Sequence, residues 1–348
     1  MSSPRLSVIM AVRNGAEHLE EAVASILGQS FRDFEFLIVD DGSDDATPEM
    51  LAQLAKGDHR IEIIRNDVSL GPYPSANRAL EIARAPLIAR MDADDISAPE
   101  RLARQVAFLE ARPDHMVVSS SYRAIDGSGR TLYVKRKPAD DYCVKWWLRF
   151  RMCLEHPATC FRALLPDGSR VKYDESHSVA QDYELFSRLA QVGKMAVLPE
   201  VLFSYRVHDK NITATRKAEQ KSNVLKIATA NQHRAFDTAT VDALAPLMRS
   251  FMLQAPAECS ALRPAVDALT RMCRAEIAIN PERQTWIRRQ SAEVLAHSLL
   301  LNGGGIRDPK FLLAFCFTAR RFIPALMMRS LENKNVLPRI LESYPRVG

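Results

Sequence analysis

Along the first 110 residues the chain repeats one order: a short continuous apolar run, a polar turn, then apolar residues at every third or fourth position. Short apolar runs bounded by turn residues suit strands buried on both faces, and a 3.6-residue period suits a helix with one face in the core. Residues 6–12, 34–39, 61–64 and 87–91 read as strands. Between them, 17–29 carries Leu19, Ala22, Val23, Ile26 and Leu27 at helical spacing, 48–55 opens on Pro48, and the segment holding Asn77, Arg78, Ala79 and Ile82 is a third helix. A fourth helix starts at Pro99-Glu100-Arg101, with Ser97 as its expected cap. Four β-then-α repeats predict an α/β fold: a Rossmann-like, mostly parallel sheet flanked by helices, with right-handed crossovers.

Past residue 110 the pattern predicts a strand over 116–119, a hairpin through Asp126-Gly127-Ser128-Gly129 and a strand over 160–162. The apolar stretch with Trp146, Trp147, Leu148 and Phe150 reads as core, and His156, beside Pro157, is a candidate on the acceptor side. A helix opens near residue 179, with Asp182 in or just before its first turn and Leu185, Leu189 and Val192 toward the core. An alternating strand over 201–208 would carry Arg206 and His208 on one face. From Thr215 the period is helical, with helices expected at 217–235, 240–254, 262–279, 283–301 and 309–331. The expected organisation is a nucleotide-binding domain over 1–215 and a C-terminal helical region over 216–348.

The chemistry sits where apolar runs stop in acids. Strand 34–39 ends in Asp40-Asp41, and strand 87–91 ends in Asp92, Asp94 and Asp95, at the carboxyl end of the sheet where open α/β folds bind ligands. Carboxylates this close repel one another unless a cation neutralises them, and hard oxygen ligands suit Mg²⁺ or Mn²⁺ completed by phosphate oxygens. Asp44 or Asp45 is read as the cap of the next helix. No GxxxxGK(S/T) loop and no GxGxxG follow a strand, so a bound diphosphate needs another counter-charge, which a metal on Asp94 would supply. Asp67 and Arg78, on either side of the Gly71-Pro72 loop, join the candidate cofactor-binding residues. An arginine and an imidazole side by side at Arg206 and His208 also fit a pyrophosphate and its metal.

Composition narrows the setting. The chain has 348 residues, room for two domains. Lys+Arg outnumber Asp+Glu by 20 to 11 from residue 216 onward, against 27 to 31 over residues 1–215. A basic rear suggests an anionic surface, and the apolar-basic segment 309–331 is a candidate interfacial helix on anionic lipid. The six cysteines show no CxxC pair or zinc spacing, and no window holds about 18 consecutive apolar residues. The start, Met-Ser-Ser-Pro-Arg, runs straight into a strand without a signal-peptide core, so a cytoplasmic enzyme is expected.

With these positions assembled, residues 5–210 resemble inverting glycosyltransferase family 2, of the GT-A fold. The likeness rests on Ser7-Val-Ile-Met-Ala-Val-Arg-Asn14, Ser25-Ile-Leu-Gly-Gln-Ser-Phe31, Phe34-Glu-Phe-Leu-Ile-Val-Asp-Asp-Gly-Ser43, Met91-Asp-Ala-Asp-Asp-Ile96 with Pro99-Glu-Arg-Leu102, Gln181-Asp-Tyr-Glu-Leu185 and Tyr205-Arg-Val-His208. The resemblance implies that Asp41 and the backbone near Ala11 contact a uracil-type base, and that Asp92 of the DxD motif faces the ribose. It further implies that Asp94, with His208, holds Mn²⁺ or Mg²⁺ on the diphosphate, and that Asp182 is the general base. Arg13 stands where a tyrosine is common, beside the expected base, and Gln181 where the family has a glutamate. No QxxRW signature is found, which argues against a processive synthase. The expected donor is a nucleoside-diphosphate sugar, with uridine the nucleoside that the resemblance implies. The expected acceptor is a hydroxyl of a glycan or lipid-linked glycan, in bacterial surface polysaccharide or lipopolysaccharide assembly at the inner face of the membrane, and no nucleic acid is involved. A sugar nucleotidyltransferase would need a Gly-rich, Arg-containing loop that Ala11-Val-Arg-Asn-Gly15 does not supply, and a non-catalytic nucleotide-sugar or membrane-surface binder would consume no donor.

Overall fold

A computed structural model describes residues 3–136, 139–177, 179–208, 217–253 and 259–300. The chain divides into two compact units, Met1–Asn223 and Val224–Gly348.

In the first unit the apolar runs become β1 (Leu6–Val12), β2 (Phe34–Asp40), β3 (Ile61–Arg65) and β4 (Leu87–Asp92), separated by α1 (Leu19–Leu27), α2 (Thr47–Gly57) and α3 (Pro72–Ile82). These four strands are parallel in the order β3-β2-β1-β4, and β1 and β2 are buried almost throughout, which is why they are mostly apolar, the buried Ser7 and Glu35 being paired with each other. The remaining strands are β5 (Ile96–Ser97), β6 (His115–Ile125), β7 (Thr131–Lys135), β8 (Cys160–Arg162) and β9 (Lys194–Arg206). They complete a mixed sheet in the order β3-β2-β1-β4-β8-β6-β9-β5, with β7 on the far side of β6. The antiparallel β8 joins β4 to β6, so only the first half is the uniformly parallel sheet the repeats predict.

Helix α4 (Arg101–Glu110) packs Leu102, Val106 and Leu109 into the core, α5 (Asp141–Trp147) buries Trp146, and α6 (Gln181–Val192) buries Leu185, Phe186 and Leu189. Ser97 does not cap α4; it pairs in β5 with Phe203 of β9. The cap comes from the buried Gln29, whose amide oxygen accepts from Leu102 N at 3.0 Å while its nitrogen donates to Ala98 O at 2.7 Å. A side chain 73 residues upstream thus does what a local serine was expected to do.

The second unit takes in most of α7 (Lys217–His233), with α8 (Thr238–Leu253), α9 (Cys259–Ile279) and α10 (Gln284–Leu300). Leu244, Leu247 and Met248 of α8, Leu269 and Met272 of α9 and Ile287 and Leu295 of α10 are its buried side chains. Four of the five helices expected after Thr215 are present; 309–331 lies outside the described residues. No described helix is long and apolar enough to cross a membrane.

Candidate active site

The carboxyl ends of β1, β2 and β4 lie side by side: Ala11 is in register with Val39 on one side and Asp92 on the other. Ala11 is half-buried and Arg13 exposed where the chain leaves β1. Asn14, with φ of 51°, turns the backbone, and its side chain exchanges hydrogen bonds with Asp44: Nδ2 donates to Asp44 Oδ1 at 2.6 Å and Asp44 N donates to Asn14 Oδ1 at 3.0 Å. Asp45 accepts from Thr47 N, at the first turn of α2, and from Ala16 N. Of the two candidate caps, Asp45 therefore reaches the helix start, while Asp44 ties the β1 and β2 loops together.

Asp41 is buried, and its carboxylate accepts from Asn66 Nδ2, Ser69 Oγ, Leu70 N, Gly71 N and Ser75 Oγ at 2.6 to 2.9 Å. These donors hold its pKa below the ordinary carboxylate value although burial opposes them. The side chain expected to meet the nucleobase instead clamps the 66–75 loop and, through Gly71 (φ 98°), the start of α3. Asp67 is exposed on that loop, and Arg78 of α3 is also exposed, donating to Arg65 O and Asn66 Oδ1.

On β4, the buried Arg90 donates to Ile9 O and Met91 O and pairs with Asp92 Oδ1 at 2.8 Å. Burial and the neighbouring Asp94 carboxylate still push the Asp92 pKa up, Arg90 opposing. Asp94 and His208 come together across 114 residues, Asp94 Oδ2 lying 2.8 Å from His208 Nε2, with their side chains 34% and 25% exposed. His208 lies past the end of β9, not on its face. His18, at the start of α1, stacks 6.2 Å from the His208 ring.

Arg206, expected on the diphosphate, is 2% exposed and turned inward. Its Nε donates to Asp94 O at 2.7 Å, Nη1 to Asp126 O and Gly127 O, and Nη2 to Glu21 Oε2 at 2.6 Å, while its backbone N donates to Asp95 Oδ1. It ties the acidic loop to the β6–β7 turn and to α1. Spacing placed it beside His208, but the partners that claim the guanidinium are 79 to 185 residues away.

Asp182 opens α6 as expected and is half-buried. Burial raises its pKa, the like charge of Asp92 adds to the rise, and hydrogen bonds from its own amide, from Tyr183 N and from the Tyr73 hydroxyl oppose it. Tyr73, two residues after the Gly71 amide that binds Asp41, has its ring 5.1 Å from Tyr173 and 5.9 Å from His156. His156 is half-buried among Tyr73, Tyr173 and Phe186, its Nε2 2.7 Å from Tyr173 Oη. Burial and Arg90 hold its pKa well below the ordinary value, so it is neutral and belongs to the cleft wall. Tyr73, Tyr173, Arg90 and His18 carried no sequence signal beyond their residue types, because only folding brings them to the acids.

Residues 7–161 match the family model described as glycosyl transferase family 2. An uncharacterized glycosyltransferase of Methanocaldococcus jannaschii is 32% identical over 226 residues, 64% of this chain and 77% of the relative. The chain belongs to glycosyltransferase family 2. This glycosyltransferase is also 29% identical over 210 residues to the O-antigen biosynthesis glycosyltransferase WbnJ of Escherichia coli, across 59% of the chain and 81% of that relative. Among solved structures, mannosyltransferase PcManGT from Pyrobaculum calidifontis, in complex with GDP-Man and Mn²⁺, superposes with a TM-score of 0.54 at 20% identity, covering 94% of this chain and 87% of that one. The fold is GT-A-like, and the transferase class sets aside the nucleotidyltransferase and non-catalytic alternatives.

A divalent ion fits the residues that this glycosyltransferase presents. Cis ligands of an octahedral ion with bonds of about 2.1 Å lie about 3 Å apart, close to the spacing of Asp94 Oδ2 and His208 Nε2. A carboxylate oxygen with an imidazole nitrogen suits Mn²⁺ at least as well as Mg²⁺. No group of three or more acidic, His or Cys side chains that could hold a metal occurs among the described residues, so the remaining ligands would come from the diphosphate and water.

Proposed function

We propose that this glycosyltransferase transfers one sugar, with inversion, from a uridine diphosphate sugar to an acceptor hydroxyl, assisted by a divalent ion on Asp94 and His208. The reading rests on one observation: Asp94 and His208, 114 residues apart in sequence, bring a carboxylate oxygen and an imidazole nitrogen to within 2.8 Å of each other just past the carboxyl end of β4. The nucleoside-diphosphate sugar and metal in the PcManGT complex support the donor class, and uridine is the base the family resemblance implies. Ala11, Arg13 and Asp67 line the chain turns at the β1 and β3 ends and are the proposed base and ribose contacts, with Asp92 toward the ribose. Asp41 and Arg78 act by shaping the 66–75 loop.

In the transfer, Asp182 takes the proton of the acceptor hydroxyl as that oxygen forms its bond to the anomeric carbon. The bond from that carbon to the diphosphate oxygen breaks, and its electron pair leaves with the nucleotide. The ion, when bound, offsets charge on the departing diphosphate. Arg206 keeps Asp94 and Asp95 in place for this without touching the nucleotide. The O-antigen role of the WbnJ relative supports a glycan or lipid-linked glycan acceptor in polysaccharide assembly. The basic residues after 216 support a C-terminal region that docks the acceptor or an anionic membrane face.

The test combines calorimetry with a transfer assay. Asp182→Asn is expected to abolish transfer while UDP-sugar binding stays within about threefold of wild type; base catalysis alone is worth roughly 10²–10⁴-fold. Asp94→Ala is expected to remove the Mn²⁺ dependence of UDP binding. Wild-type turnover in Asp182→Asn, or a product with the donor's anomeric configuration retained, overturns the mechanism.

A further inference from the structure

Strand β6 runs parallel to β9 and antiparallel to β8, which is itself antiparallel to β4, so β6 ends at the same edge of the sheet as the acids of β4. On the side away from β9, β6 pairs first with β8 at Val117 and Val118 and then with β7 from Tyr122 to Ile125. The β6–β7 hairpin therefore extends the sheet past the end of β8, at the edge that carries the acids. Arg206 fastens it there, since one guanidinium donates to Asp94 O at 2.7 Å and to Asp126 O and Gly127 O of the hairpin turn at 3.1 and 2.9 Å.

The outer strand of this hairpin exposes what the rest of the sheet buries. Leu132, Tyr133 and Val134 are 53%, 50% and 50% exposed, three large apolar side chains in succession. Cations surround them. From Gly127 to Arg136 the sequence holds Arg130, Lys135 and Arg136 and no acid, and the acid of the turn, Asp126, accepts from Arg130 Nε at 2.9 Å. Arg130 and Arg136 are exposed at the two ends of β7, and the exposed Arg123 of β6 stands in register with Val134. An apolar edge strand invites another strand, but the register shift between Ala124 and Ile125, which passes over Leu132, and the flanking charges blunt this one against pairing. Apolar side chains ringed by cations suit a surface that is apolar inside and anionic outside.

We propose that the β6–β7 hairpin docks on an anionic lipid bilayer, with Leu132, Tyr133 and Val134 entering the headgroup region and Arg123, Arg130 and Arg136 meeting lipid phosphates. Because Arg206 couples the turn to the Asp94 loop, docking sets the acidic edge of the sheet against the membrane, which on the proposed function is where a lipid-linked acceptor is presented.

The test sediments the full chain with phosphatidylcholine vesicles, with and without phosphatidylglycerol, in the absence of donor and acceptor. Wild type should bind the anionic vesicles and release as salt is raised. The double variants Leu132→Ser with Val134→Ser, and Arg123→Gln with Arg136→Gln, should each bind about tenfold more weakly. Both leave the basic residues after 216 unchanged, and unaltered Mn²⁺-dependent UDP affinity by calorimetry reports an intact fold. Wild-type vesicle binding by both variants, or no binding by wild type, overturns the docking surface. So does a loss of self-association or of affinity for a soluble glycan in variants that still bind vesicles as wild type does, which assigns the hairpin to a second copy or to the glycan. A protein that docks but transfers no sugar keeps the docking surface and loses the proposed function; one that transfers sugar but ignores anionic vesicles does the reverse.

Discussion

Replacing Arg206 with methionine separates a buried strut from a phosphate ligand. The guanidinium serves Asp94 O, Asp126 O, Gly127 O and Glu21 Oε2 at 2.6 to 3.1 Å. Methionine fills similar volume but donates nothing, leaving three carbonyl oxygens short of a charged donor. At about 1–1.5 kcal/mol each, the loss is about 3–5 kcal/mol, a large part of the roughly 5–15 kcal/mol that holds a domain together. Glu21, 55% exposed, is re-solvated and adds little, so Glu21→Gln should cost less than about 1 kcal/mol. With a urea slope of about 3 kcal/mol/M, Arg206→Met lowers the unfolding midpoint by about 1–1.5 M. Mn²⁺-dependent UDP binding should weaken as the Asp94 loop loosens. An unchanged midpoint combined with lost nucleotide affinity in the absence of metal would refute this reasoning and return Arg206 to the diphosphate.

Two glycines should respond in opposite directions. At Gly42, with φ of 67°, an added Cβ would sit 3.0 Å from Ser69 N and 3.1 Å from Val68 C, so Gly42→Ala should cost about 1–2 kcal/mol and loosen the loop that Asp41 clamps. Gly57, the last residue of α2, has open space around it, and Gly57→Ala should gain about 0.5–1 kcal/mol, both read from thermal unfolding. The Asp58 carboxyl is held down to about 2 by hydrogen bonds from Arg60. A depressed pKa contributes stability above the unfolded value of about 3.9 and loses it as pH falls toward about 2. Asp58→Asn should therefore be less stable than wild type at neutral pH and converge with it through that window, as followed by acid titration of the melting temperature.

The parallel half of the sheet was legible because β1, β2 and β4 are buried on both faces and so had to be mostly apolar, Ser7, Glu35 and Arg90 being the exceptions before their carboxyl ends. The acids at their ends were legible for the same reason: a carboxylate interrupting such a run sits at a strand mouth. Asp94 beside His208 followed from the family motifs. The antiparallel half was only partly legible, since β5 has two residues and β6 and β9 run well beyond their apolar stretches.

Ser97 and Arg206 were each given a local or ligand-facing role that folding replaced. Periodicity and residue type determine which segments are strands and which strand ends carry charge, because both depend on nearest neighbours along the chain. They do not determine who satisfies a buried polar group. Gln29 capping α4, the 66–75 loop closing on Asp41, the backbone carbonyls that collect Arg206 and the ring stack of Tyr73, Tyr173 and His156 all join segments far apart in sequence. A hydrogen bond depends on distance and angle in space, so those assignments exist only once the sheet has set its strand order.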